Sequence, residues 1–215
     1  VITQPTVTFL SGGDPITNAG AITYNNTSGN TWTAAYTAHT NDTDGVVTYS
    51  IVVGDLAGNP GTAVTTGSGS VTFDNTAPTL TSVSITSDNS PATHANPGDV
   101  VTVTLAASVA ISQPVVTFKS GGNAVSDGSI TYAGSGANWT AAYTAGASDT
   151  EGAVSFTIAY SDLAGNAGTN VTSVTNASSV TFDKTAPTLT SASIASDYST
   201  NTLASTNDEI TVTLT

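Results

Sequence analysis

The chain repeats itself at long range. "TFLSGG" at 8–13 returns as "TFKSGG" at 117–122, 109 residues on. "NTWTAAYTA" at 30–38 returns as "ANWTAAYTA" at 137–145, and "DLAGN" at 55–59 returns at 162–166, each 107 residues on. "TAPTLTS" at 76–82 returns at 185–191, again 109 residues on. A fixed period means a tandem array of one folding unit. The small changes of offset lie before Trp139 and between Asn166 and Val180, and such insertions and deletions mark loops.

Inside the unit the apolar period is two. "DVVTVTL" sets Val101, Val103 and Leu105 on one face, and "DEITVTL" sets Ile210, Val212 and Leu214 likewise. "PTVTF" and "PVVTF" turn Val7, Phe9, Val116 and Phe118 inward. "WTAAY" groups Trp32, Ala34 and Tyr36, and again Trp139, Ala141 and Tyr143. Short alternating runs bounded by Gly, Asn, Asp and Ser predict antiparallel strands. About seven strands per repeat predict an all-β fold of tandem immunoglobulin-like antiparallel β-sandwiches. No stretch carries a helical period.

"D-x-A-G-N" followed by "T-F-D-x-T-A-P" resembles the Ig-like tandem repeat domains of large repetitive bacterial surface adhesins and cell-surface filament proteins, over the whole chain. The resemblance implies an extracellular stalk whose repeats are stiffened by calcium near their junctions. It says little about any one protein's role, because the fold hosts many.

The first strand of a unit is expected at TAPTLTS. Residues 1–75 are then a domain lacking its first two strands, 76–184 a complete domain, and 185–215 the first two strands of another. Neither terminal piece buries its own core, so open faces and strand edges need a neighbour. The neighbouring copy is either joined by the chain in a longer array or supplies its strands by exchange. The residues expected to make that assembly are Thr79, Ile85, Val101, Val103, Leu105, Leu189, Ile194, Ile210, Val212 and Leu214.

Acidic residues recur at fixed places. "NDTDG" carries Asp42 and Asp44, matched by Asp149 and Glu151 in "SDTEG". DLAGN carries Asp55 and Asn59, or Asp162 and Asn166, and Asp74 and Asp183 precede T-A-P. Calcium takes six to eight oxygens from such groups, which makes these ten residues the candidate calcium ligands. Asp, Asn and Gly are also the ordinary turn formers, because Asp and Asn bond their own backbone and Gly accepts positive φ.

Composition narrows the function. The chain has two Lys, no Arg and a formal net charge of −13, which gives nucleic-acid phosphates no basic footprint. It contains no Cys and no 18-residue apolar run, so neither disulfides nor a spanning helix is expected. His39 and His94 have no His at the equivalent positions, which supports neither zinc nor a triad. The Gly pairs after "TFLS" and "TFKS" read as hairpin turns, and Trp32 and Trp139 as core residues. No enzyme is expected. The partners expected are further copies of the repeat, with any glycan or host-surface ligand bound elsewhere in the full protein. The alternative is an Ig-like module that recognises a glycan or a protein through its end loops.

Overall fold

A computed structural model describes residues 1–17, 21–126 and 128–215. The chain is all-β, and among the described residues there is no α-helix. Two compact units form, Val1–Phe182 and Asp183–Thr215, and the first holds both long repeats.

In repeat 1 the strands are β1 (Thr6–Ser11), β2 (Asp14–Pro15), β3 (Thr23–Ser28), β4 (Thr31–Ala35), β5 (Gly45–Val52) and β6 (Thr72–Phe73). In repeat 2 they are β7 (Leu80–Ser87), β8 (His94–Ala95), β9 (Val100–Ala107), β10 (Val115–Ser120), β11 (Asn123–Ala124), β12 (Thr131–Ser135), β13 (Asn138–Thr144), β14 (Gly152–Ala159) and β15 (Thr181–Phe182). The second unit carries β16 (Ala192–Ser196) and β17 (Ile210–Leu214), paired with each other.

Repeat 2 is a sandwich. One sheet runs β12-β13-β9-β7 and the other β11-β10-β14-β15-β8. In immunoglobulin lettering these are D-E-B-A and C′-C-F-G, with β8 as an extra first-strand segment parallel to β15. The strand order makes repeat 2 an Ig-like β-sandwich. Its core is the face that the period-two pattern marked. Val101, Val103 and Ala141 are fully buried, and Leu105 and Tyr143 nearly so. Across from them lie Val116, Phe118, Ile158, Val180 and Phe182, which closes the core between the sheets. Trp139 is only half-buried and packs against that core, with its Nε1 donating to the Gly136 carbonyl at 3.1 Å. Phe118 and Tyr143 meet with ring centroids 4.8 Å apart.

Repeat 1 reproduces the part of this sandwich that follows strand B. Its sheet β2-β1-β5-β6 matches C′-C-F-G, and β3-β4 matches D-E. The Phe9–Tyr36 pair stands at 4.9 Å, close to the separation of its copy. Tyr24 reaches from β3 to accept the Val7 N–H of β1 at 3.0 Å, as Tyr132 accepts that of Val116 at 3.0 Å. The Gly pairs are two-residue hairpin loops. Gly12 and Gly13 have φ of 57° and 95°, Gly121 and Gly122 of 55° and 85°, as a type I′ connection requires.

Of the expected assembly residues, Thr79 and Leu189 lie just outside the strands, ahead of β7 and β16. Ile85, Val101, Val103 and Leu105 are core, whereas Leu189, Ile194, Ile210, Val212 and Leu214 are exposed.

Candidate functional site at the joint between repeats

The acidic turns do three separate jobs. Asp42 is buried where the chain enters β5. Its carboxylate accepts the Thr17 N–H at 2.7 Å and the His39 N–H at 2.9 Å. Those two bonds, Thr17 first, hold its pKa below the ordinary value despite burial. Asp149 repeats the arrangement, accepting Ser126 N–H at 2.6 Å and Gly146 N–H at 2.9 Å. Each carboxylate thus ties two loops that are distant in sequence but adjacent at one end of the repeat.

DLAGN closes the turn after β5 and after β14. Asp55 Oδ1 accepts the N–H groups of Ala57 and Asn59 at 2.9 and 2.8 Å, and Oδ2 accepts Asn59 Nδ2 at 2.8 Å. Asp162 does the same with Gly165, Asn166 and Asn166 Nδ2 at 2.8, 2.9 and 2.9 Å. Gly58 and Gly165 supply the positive φ that this loop needs, 87° and 99°. The Asn59 side chain and N–H lower the Asp55 pKa. At Asp162 burial pushes the pKa up, but the Asn166 side-chain and backbone bonds outweigh it and leave it lowered.

The third group lies where the repeats meet. Asp44 is exposed beside the linker and accepts the Asn75 N–H at 2.8 Å and the Thr76 hydroxyl. Asn75 Nδ2 returns a bond to the Thr40 carbonyl at 3.1 Å. Asp74 Oδ1 accepts the Thr76 N–H at 3.0 Å, an Asx turn that aims the chain into Ala77 and the buried Pro78. From the far side Asn166 Nδ2 donates to the Asp74 carbonyl at 3.0 Å. The linker 74–76 is therefore held by repeat 1 through Asp44 and by repeat 2 through Asn166. Asp183 repeats the Asx turn, accepting Thr185 N–H at 2.9 Å. Glu151 stands at the position of Asp44 in the second copy.

So the structure brings Asp44, Asp74 and Asn166 together at one joint, and it keeps Asp42, Asp149 and the Asp55–Asn59 pair in turns of their own. Among the described residues no three carboxylates or histidines gather as a metal cluster. Sequence reasoning missed the Asn166–Asp74 bond and the roles of Asn75 and Thr76. Their only sequence signal is the co-recurrence of DLAGN and TFDxTAP at fixed spacing.

The chain matches no protein family model and no curated protein. Among solved structures it is similar to the titin Ig tandem domains A164-A165, with 13% identity over 85% of this chain and 83% of that chain, at a TM-score of 0.26. The Ig-like assignment rests on the strand order of repeat 2.

Proposed function

We propose that this chain is a structural repeat module of an extracellular microbial stalk or filament, of the adhesin type that its motifs resemble. The observation that carries the reading is the joint. Linkers that let domains swing freely are rich in Gly and Ser and few contacts cross them. Here repeat 1 holds Asn75 and Thr76, repeat 2 holds the Asp74 carbonyl, and Pro78 fixes φ just beyond. Such a joint transmits orientation from one repeat to the next, which is what a spacer does. The surface supports the reading: two Lys and no Arg leave a protease of basic specificity almost no sites. The end loops are nearly identical in the two copies and hold their own backbone, as scaffold loops do.

Immunogold labelling of source cells with antibody to this chain tests the reading. The proposal expects label along extended fibres outside the cell, and label confined to the cell interior contradicts it.

A further inference from the structure

The two copies of the same sequence differ in what they cover. In repeat 2 the hairpin of β7 and β9 lies against β13, with Leu105 opposite Trp139, Val103 opposite Ala141 and Val101 opposite Tyr143. In repeat 1 the equivalent strand β4 pairs with β3 alone. Beside it a groove of about 320 Å³ opens between the sheets, lined by Val7, Phe9, Trp32, Ala34, Tyr49 and Ile51. Elsewhere in repeat 1 Val71 is 66% exposed, where its copy Val180 is 1% exposed. The Trp32 Nε1 is buried without a partner, although its copy in Trp139 has one.

The complementary surface is on β16 and β17. Ile194 is 70% exposed where its copy Ile85 is 3%, and Leu214 is 60% exposed where Leu105 is 1%. Ile210 and Val212 stand likewise against the buried Val101 and Val103. Two open surfaces whose copies are buried against each other specify their own partner. The acceptor is also preformed, since the Phe9–Tyr36 contact and the Tyr24 bond match those of the filled repeat.

We infer that the β3–β4 edge and the groove of repeat 1 receive the β16–β17 hairpin of a second copy of this chain. The register follows from repeat 2. Trp32 faces Leu214, Ala34 faces Val212, and Tyr36 faces Ile210, as the copies do. The linker follows the same path, so that Asn59 Nδ2 donates to the Asp183 carbonyl as Asn166 Nδ2 donates to that of Asp74. One feature of the filled repeat is absent. Thr175 and Ser178 bond the outer edge of β7 at Val83 and Ile85, while repeat 1 is two residues shorter in this loop and has Gly69 in place of Ser178. The seat in repeat 1 therefore holds the hairpin through β17 and the apolar faces. The inference deepens the filament reading by naming how one copy joins the next, and it stands or falls apart from where in the cell the fibre lies.

The chain has no Cys, so a disulfide reads the contact directly. Thr33 and Thr213 are copies of Thr140 and Thr104, which face each other across β13 and β9. The full chain carrying Thr33→Cys and Thr213→Cys should give, on oxidation, a ladder of multiples of 21.2 kDa in non-reducing electrophoresis. The control carrying Thr33→Cys and Thr211→Cys, two residues out of register, should not. Equal ladders in both, no ladder in either, or a fast-migrating monomer closed on its own tail each overturn the inference. Sedimentation of the unmodified chain gives a second readout: larger species should appear with rising concentration and vanish with Val212→Asp, whose site is exposed in the single chain. A chain that stays monomeric at every concentration contradicts the inference.

Discussion

Replacing Asn166 by Ala separates the joint from the turn it belongs to, because Asn59 occupies the same turn without a neighbour. In both variants the backbone N–H to the Asp Oδ1 survives, at 2.8 Å for Asn59 and 2.9 Å for Asn166. Asn59→Ala then loses one bond, Nδ2 to Asp55 Oδ2, on an exposed loop. A charged hydrogen bond there is worth about 1 kcal/mol after solvent screening. Asn166→Ala loses the matching bond to Asp162, which is only 3% exposed, and also the bond to the Asp74 carbonyl. The first loss costs about 2 kcal/mol and the second about 1 kcal/mol, for a sum of about 3 kcal/mol. Each repeat has one Trp, so Trp32 and Trp139 report on the two separately. With the other Trp changed to Phe, urea unfolding followed by fluorescence should place the Asn166→Ala cost about 2 kcal/mol above that of Asn59→Ala. A difference of about 1 kcal/mol or less, which the deeper burial of the Asp162 bond supplies by itself, would show that the linker bond contributes nothing, and the clamped joint would be refuted.

Other outcomes follow from the same geometry. Leu105→Ala should destabilise repeat 2 by about 2–5 kcal/mol, whereas Leu214→Ala in dilute solution should change stability by less than about 0.5 kcal/mol, since only the first is buried. Asp42, Asp55 and Asp162 have lowered folded pKa values, so their bonds stabilise fully above the unfolded carboxylate value near pH 4 and are lost as pH falls through the folded values. Acid unfolding monitored by circular dichroism should begin below about pH 4, and Asp42→Asn should blunt that dependence. Chelation by EDTA tests the calcium expectation: an ion held at a hundredfold its Kd contributes about 2.7 kcal/mol, so its removal should lower the melting temperature by several degrees, and an unchanged melting temperature would overturn the expectation.

The core was legible in the sequence because a half-buried strand must alternate. Val101, Val103 and Leu105 are inward for that reason, and so are Ala141 and Tyr143. The Gly pairs were legible because a two-residue hairpin needs positive φ at both positions. The short strand β8 was not. Two residues, His94 and Ala95, carry no period, and their parallel partner β15 lies far along the chain. The stretch between Gly165 and Val180 was equally hidden, since it bonds β7 through the side chain of Thr175, 92 residues from Val83. The acidic residues were found by recurrence, but their jobs were not. Asp42 and Asp44 are two residues apart, yet one is buried under two loop N–H groups and the other grips the linker. Only the path of the linker decides that difference.

A linker clamped at Asp74, Asn75 and Thr76 passes repeat 2 the orientation of repeat 1. Amide 15N relaxation on the 215-residue chain carrying Val212→Asp, which keeps copies from joining, reads this directly, comparing residues of β1 and β5 with those of β10 and β14. A clamped joint gives one shared tumbling time and one diffusion tensor for both repeats. Two independent tumbling times, each that of a single repeat, would contradict it.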